Sequence, residues 1–305
     1  MERIEGIVTS ATGSWYEVAT ERGTLNCRIR GRLRLKGVRS TNPVVVGDRV
    51  VVEPDGDSSV IVEIVPRRNY VIRRASNLSK ESHIIAANID RAMLVVTLAE
   101  PYTAPEFIDR FLVTCEAYKV PVTILLAKID LLGEASEAVE EFHRIYEGIG
   151  YEVIDISATE GVGVERVKAM LEGKTTLLSG NSGVGKSTLV RAIDPTIDIR
   201  TGEISESFHK GKHTTTFSTM YRVAGGFVID TPGVKGFGLI DIEDDELWHY
   251  FPEMIGRAGE CRFFNCTHTH EPHCAVMEAV KSGDIAFSRY ESYLKILDED
   301  DKYRK

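Results

Sequence analysis

Apolar and polar positions change rhythm along the chain. Up to about residue 68 the apolar residues come in short β-branched or aromatic runs: Gly6–Thr9, Trp15–Val18, Leu25–Ile29, Val44–Val46, Arg49–Glu53 and Val60–Val65. Turn formers punctuate them at Gly13, Gly23, Gly47-Asp48 and Asp55-Gly56-Asp57. Runs of this length and composition predict strands. Five or six strands in so short a stretch predict a small closed β-barrel, an OB-fold first and an SH3-like barrel second.

Beyond about residue 70 the period lengthens and alternates. Strands are predicted at Met93–Thr97, Val122–Ala127, Glu152–Ile156, Thr175–Leu178 and Phe227–Asp230, with helices at Pro105–Tyr118, Glu134–Ile149, Val162–Leu171 and Ser187–Ile193. Alternating β and α elements predict a parallel sheet covered by helices. The last stretch is predicted to be mainly helical, at Asp244–Tyr250, Ala275–Lys281 and Ser288–Asp298. Three domains are expected: a β-barrel over 1–70, an α/β domain over 71–240 and a mainly α domain over 241–305.

Charge refines this picture. The formal net charge is −9. Yet Arg22, Arg28, Arg30, Arg32, Arg34, Lys36 and Arg39 follow one another with no acidic residue before Gly47. Alternate positions of a strand share a face, so Arg28, Arg30, Arg32, Arg34 and Lys36 are candidates for a basic stripe that meets RNA phosphates. No apolar run approaches the roughly 18 residues a membrane helix needs. The first residues show no basic-then-apolar leader. A cytoplasmic protein without a membrane partner is expected.

The chemistry concentrates in two places. Gly180-Asn181-Ser182-Gly183-Val184-Gly185-Lys186-Ser187-Thr188 matches the phosphate-binding loop G-x-x-x-x-G-K-[ST]. Its glycines let successive N–H groups face phosphate oxygens, Lys186 reaches the β- and γ-phosphates, and Ser187 is placed for Mg²⁺. The loop lies between a predicted strand and a predicted helix, as this chemistry requires. Downstream, Asp230-Thr-Pro-Gly233 ends a strand, with Asp230 placed for Mg²⁺ and the Gly233 N–H for the γ-phosphate. Between them lies the polar run Lys210–Thr216, where Thr214 or Thr215 can reach Mg²⁺; Thr215 is carried as the ligand. Val234 stands where many GTPases have a water-orienting Gln. His213 is the candidate to position or deprotonate water instead.

The base motifs lie upstream. Ala127-Lys128-Ile129-Asp130 and Ser157-Ala158 each follow a predicted strand and resemble the N-K-x-D and S-A elements of translation-factor-like GTPases. A carboxylate at Asp130 accepts from the guanine N1–H and amine, donors that adenine does not pair on that edge. Lys128 lays its stem along the ring, and Ser157 and Ala158 support Asp130. Ala127 departs from the pattern, because an Asn there would brace the phosphate loop. Base motifs before the phosphate loop imply a circular permutation, which also sends the chain from Asp230 straight into the C-terminal domain.

Two of the five cysteines, Cys27 and Cys115, sit in apolar surroundings and read as buried thiols. Cys261, Cys266 and Cys274 stand among His268, His270 and His273 within fourteen positions. Such a set predicts one structural Zn²⁺, held by the three thiolates and His268, with His270 and His273 as alternatives.

Taken together, the permuted order, the Gly180–Thr188 loop, Gly211-Lys-His-Thr-Thr-Thr216, Asp230-Thr-Pro-Gly-Val234 and Cys261…Cys266-Thr-His268…Cys274 resemble the ribosome small-subunit-dependent GTPase A family, also called RsgA or YjeQ. The resemblance covers essentially the whole chain. It implies an N-terminal OB-fold, a circularly permuted GTPase domain and a zinc domain. It also implies GTP hydrolysis to GDP, stimulated by the 30S ribosomal subunit and its rRNA during late maturation of that subunit. His213 would then position water, and Cys261, Cys266, His268 and Cys274 would hold zinc. A monomer is expected, since no long heptad repeat is present. An RNA-binding module with nucleotide as a mainly structural ligand is the alternative function, and a P-loop metabolite kinase a third.

Overall fold

The computed structural model describes residues 2–30, 43–55, 58–74, 82–133, 137–197, 219–230 and 242–303. The N-terminal strands are β1 (Ile4–Thr12), β2 (Trp15–Thr20), β3 (Gly23–Ile29), β4 (Arg49–Asp55) and β5 (Ser58–Ile64). They pair in the order β1-β2-β3-β5-β4, and β4 pairs again with β1, which closes the barrel. Closure leaves no free edge. Alternation puts Val8, Tyr16, Val18, Cys27, Val50, Val52 and Ile61 inside.

The run Val44–Val46 is buried but is no strand. Its backbone is spent on a tight turn: Val45 N–H donates to Asp48 Oδ2 at 2.8 Å, and Gly47 N–H to the Val8 carbonyl at 2.8 Å. β-Branched residues reported burial here, not extension. Arg67, half-buried, holds the buried Asp48 through Nε at 2.6 Å and Nη2 at 2.7 Å. A hairpin that the sequence pattern did not predict, β6 (Tyr70–Arg74) with β7 (Ser82–Ala87), follows the barrel. Its Ala87 N–H bonds the Val46 carbonyl at 2.9 Å, fastening barrel to hairpin.

The central domain contains β8 (Arg91–Val96), α1 (Pro105–Ala117), β9 (Val122–Ala127), α2 (Glu137–Glu147), β10 (Glu152–Ile156), α3 (Val164–Leu171), β11 (Thr175–Ser179), α4 (Lys186–Ile193), β12 (Thr219–Val223) and β13 (Gly226–Asp230). Sheet order is β10-β9-β8-β11-β13-β12, parallel except for β12. The sheet continues into the barrel, because Ser10 of β1 pairs with Thr219 of β12. One face packs on α1 and α2 through Ile108, Phe111, Leu112, Phe142 and Tyr146, in a core continuous with the barrel interior. The other packs on α3 and α4 through Val164, Val167, Leu189 and Val190.

The C-terminal segment has α5 (Pro252–Ala258), which was not predicted, then α6 (Ala275–Ser282) and α7 (Phe287–Tyr303). The helix predicted at Asp244–Tyr250 reduces to a 3₁₀ turn at Leu247–Tyr250. This segment has its own core around Phe251, Met254, Val276 and Tyr293, into which Val113 of α1 inserts. A buried ion network reinforces the junction. Arg289 on α7 donates from Nη1 to Asp109 Oδ1 of α1 at 2.7 Å and from Nε to Glu253 Oε1 of α5 at 2.7 Å. Tyr146 of α2 donates to the same Asp109 oxygen at 3.1 Å. No helix among the described residues is long and apolar enough to cross a membrane.

Candidate active site and metal centre

Gly180–Gly185 joins β11 to α4. The loop turns where only glycine fits. Gly180 has φ 145°, and a methyl there would overlap the Val95 carbonyl oxygen; Gly185, at φ 106°, caps α4. Lys186 is buried and donates from Nζ to the carbonyls of Gly180 at 2.7 Å and Asn181 at 2.8 Å. Its ammonium therefore sits inside the loop. Ser187 and Thr188 open α4, where the helix dipole favours anions. Parallel pairing sets Asp230 beside Leu178, so the end of β13 emerges next to the loop.

The base motifs emerge on the same sheet edge. Ala127 pairs with Ile156, so Lys128-Ile129-Asp130 and Ser157-Ala158 leave adjacent strands together. Asp130 lies in a 3₁₀ turn and is exposed, while Lys128 takes a left-handed backbone at φ 61°. Ser157 is fully buried, and its Oγ accepts the Glu160 N–H at 3.2 Å, which fixes the turn that presents Ala158. Thus Gly180–Ser187, Lys128–Asp130 and Ser157–Ala158 all lie past the C-terminal ends of parallel strands, where α/β sheets bind ligands. His213, Thr214, Thr215 and Gly233 lie outside the described residues, as do Arg32, Arg34 and Lys36.

β10 is anchored by a titratable clamp. His143 of α2 bonds Asp155 Oδ1 through Nε2 at 2.9 Å and faces Glu147 Oε2 from Nδ1 at 3.2 Å. Burial disfavours the imidazolium, but the bonds to Asp155 and Glu147 outweigh it and raise the pKa above 6.5. A raised folded value means stability that is full below the unfolded pKa and lost as pH rises through the folded one. His143→Gln is therefore expected to lose about 0.5–1 kcal/mol at pH 6 after allowance for solvent screening, and nothing well above the folded pKa. Thermal melts of both proteins from pH 5.5 to 9 check this; parallel curves would reject it.

The second site lies in the C-terminal core. The donor atoms of Cys261, Cys266, His268 and Cys274 all lie within 4.8 Å of one another. His268 Nδ1 is 3.6 Å from Cys261 Sγ and 3.3 Å from Cys274 Sγ, and the two thiols are 4.0 Å apart. Tetrahedral coordination of zinc by S and N implies donor separations of about 3.5–3.8 Å. Three soft thiols and one imidazole at this spacing fit a metal ion. Of the three histidines, the structure brings His268 to the thiols; His270 is outside the cluster and bonds Thr269 Oγ1 at 2.8 Å. Burial pushes the Cys266 thiol up to about 12 and holds His268 toward its neutral form. A bound cation reverses the first effect.

The ligand loop is held from outside. Tyr290 and Tyr293 of α7 donate to the carbonyls of His268 at 2.8 Å and Thr267 at 2.6 Å. The Glu271 carboxylate accepts from the N–H groups of Thr267 at 2.7 Å and Thr269 at 3.1 Å. Burial opposes its charge, but the Thr267 hydroxyl, donating at 2.7 Å, and then the N–H groups of Thr267, Glu271 and His270 hold its carboxyl well below the usual range.

On the barrel, Arg28 is exposed and its guanidinium carbon lies 4.0 Å from the Trp15 ring centre. Arg30, just past β3, bonds Glu53 Oε2 at 3.0 Å. Of the basic stripe, Arg28 is thus the described member stacked on an aromatic ring, and Arg30 is engaged within the barrel.

A family model described as RsgA N-terminal domain matches residues 5–62, and one described as RsgA GTPase matches residues 64–240. The chain belongs to the RsgA GTPase family. Among its relatives, the small ribosomal subunit biogenesis GTPase RsgA 2 of Bacteroides thetaiotaomicron is 52% identical over 307 residues, covering 99% of both chains. Small ribosomal subunit biogenesis GTPase RsgA of Porphyromonas gingivalis is 52% identical over 310 residues, covering 99% of this chain and 98% of its own. YjeQ from Thermotoga maritima superposes with a TM-score of 0.77 at 37% identity, over 98% of each chain. YloQ, described as a circularly permuted GTPase, gives a TM-score of 0.74 at 30% identity, over 100% of this chain and 96% of its own. The closed barrel, the permuted α/β domain and the Cys/His cluster are thus the architecture of an RsgA-family GTPase.

Proposed function

We propose that this chain hydrolyses GTP to GDP and phosphate with Mg²⁺, and does so on the small ribosomal subunit as that subunit matures. One observation carries the chemistry: the phosphate loop, the Lys128–Asp130 turn and the Ser157–Ala158 turn leave one sheet edge together. In this reading backbone N–H groups of Gly180–Gly185 and Lys186 hold the phosphates, Ser187, Thr215 and Asp230 hold Mg²⁺, and the Gly233 N–H meets the γ-phosphate. Asp130 pairs the guanine edge, Lys128 lies along the ring, and Ala158 offers its N–H to the guanine oxygen. His213 positions the attacking water.

The subunit as partner rests on the names of the relatives, and the exposed Arg28–Trp15 pair supports contact with rRNA on the barrel. Arg30 can join it, because a pair with Glu53 in which the arginine is 58% exposed is worth little. Cys261, Cys266, His268 and Cys274 would hold one structural Zn²⁺. The domains are assigned to 1–70, 71–240 and 241–305, and the protein to the cytoplasm.

Hydrolysis of GTP and of ATP, each with and without purified small ribosomal subunits, tests the reading. Stimulation restricted to GTP is expected. Equal use of ATP would instead mean that Ala127 marks a loss of guanine chemistry. Absence of stimulation would favour a binding module with nucleotide as ligand.

A further inference from the structure

Ala127 poses a structural question. An Asn at this position would tie the base motif to the phosphate loop, and a methyl group cannot. The two motifs also leave strands that are not neighbours. Sheet order runs β9-β8-β11, so β8 separates the base strand from the phosphate-loop strand. Whatever follows β8 must therefore lie between the two loops.

That segment is Thr97–Ala104, leading into α1. Two buried threonines close it on itself. The Thr97 N–H donates to Thr103 Oγ1 at 3.1 Å, the Thr103 N–H returns to the Thr97 carbonyl at 2.9 Å, and Thr97 Oγ1 accepts the Ala99 N–H at 2.9 Å. The ring so formed presents Glu100 and Pro101 at its tip. The Glu100 carbonyl accepts Lys128 Nζ at 2.8 Å. Pro101 lies beside the phosphate loop: a methyl group built on Gly183 would meet its Cγ at 3.4 Å and its Cδ at 3.6 Å, so the ring stands about one methyl group from the Gly183 backbone. One tightly bonded loop thus bonds the base motif through Glu100 and sets Pro101 beside Gly183 of the phosphate loop.

We propose that the Thr97–Thr103 loop is the brace between the base site and the phosphate loop in this chain, taking over the task of the missing Asn at 127. Lys128 holds the Glu100 carbonyl, the Pro101 ring limits the space beside Gly183, and Thr97 and Thr103 keep the loop closed. Thr97, Pro101 and Thr103 are positioning residues: they set the separation of the two half-sites and touch neither base nor phosphate. A fixed separation lowers the ordering cost of binding a nucleotide that spans both halves. The brace presupposes that Asp130 and Lys128 hold guanine.

Equilibrium binding of fluorescent GDP and of a non-hydrolysable GTP analogue, with ADP as control, tests this on the full chain. Pro101→Gly removes the ring beside Gly183, and the near-isosteric Thr103→Val removes the Oγ1 acceptor of the Thr97 N–H, leaving one backbone bond to close the loop. Each is expected to weaken both guanine nucleotides about tenfold while the preference over ADP persists, since Asp130 is untouched. Adding Ala127→Asn to either variant is expected to restore most of the loss and to gain much less in the unaltered chain; equal gains in both would be additive and would count against the brace. Circular dichroism identifies any variant that fails to fold; Thr103→Val, with its small volume change, then carries the test. Unchanged affinity in a folded variant, or a loss that Ala127→Asn leaves uncorrected, would overturn the brace. If the unaltered chain binds GDP no better than ADP, the guanine site itself is wrong, an outcome distinct from failure of the brace.

Discussion

Replacing Arg289 with alanine is expected to destabilise the junction of the central and C-terminal domains by about 3–5 kcal/mol. Arg289 is 1% exposed, and its partners Asp109 and Glu253 are 0% and 5% exposed. Burial disfavours the guanidinium charge, but Asp109 and then Glu253 hold it well above its usual range. Burial pushes the Asp109 carboxyl up, and Arg289 pulls it back. Removing the arginine leaves two carboxylates in a dry interface with no cation. The Asp109 pKa then rises further above its unfolded value, because burial is no longer opposed by Arg289. Raised carboxylate values favour the fold at low pH and lose that advantage as pH rises, so the deficit of Arg289→Ala should shrink from pH 8 to pH 5. Urea unfolding followed by Trp248 emission at both pH values measures it. A loss under 1 kcal/mol at pH 8 would show that water reaches the network.

The same network bears on how the C-terminal domain moves. The permuted order sends the chain from Asp230 into that domain. The structure ties it to α1 by Arg289 and Val113, and α1 begins where the Thr97–Thr103 loop ends. Displacement of the C-terminal domain on α1 requires breaking a buried charge network.

Stripping metal from the Cys261–Cys266–His268–Cys274 cluster should have the second large effect. Metal binding in small zinc domains contributes about 10–16 kcal/mol, comparable to or larger than the roughly 5–15 kcal/mol stability of a whole domain. The C-terminal core is built directly on the ligands: Cys266 and Cys274 are buried within it, and the Cys274 thiol also caps α6 by accepting the Met277 N–H at 3.4 Å. Chelation, or Cys274→Ser, is expected to unfold residues 242–303 while barrel and sheet stay folded. Trp248 reports it, since its ring lies edge-on to His268 at 5.1 Å. In a Trp15→Phe background the emission of Trp248 should shift to the red as one equivalent of zinc is released. An unshifted spectrum with the metal gone would show that the core stands without it.

Much of the chemistry was legible because it is local. A phosphate loop needs its glycines, lysine and serine within one turn of chain, and four metal ligands on one short loop are neighbours before folding. Gly180–Ser187 and Cys261–Cys274 therefore announced themselves, and the apolar runs at Val122–Ala127 and Glu152–Ile156 coincide with β9 and β10. Val44–Val46 marks the limit of that logic. Apolar periodicity says that a residue is buried, but the backbone's partners, here Asp48 and Val8, decide whether it is extended.

The remainder depended on which distant segments meet. Arg289 and Asp109 are 180 residues apart, Lys128 and Glu100 are 28 apart, and no spacing rule joins either pair. Arg30 looked like one more member of a basic stripe until the barrel closed and placed Glu53 beside it. The order β9-β8-β11 likewise arises only when the sheet assembles, and it alone puts the Thr97–Thr103 loop between the two halves of the site. Sequence by itself determined the candidate groups for phosphate, guanine and metal, because their chemistry lies in short runs of residues. The tertiary structure decided how those groups are braced, because burial, pairing and loop position are properties of segments that become neighbours only on folding.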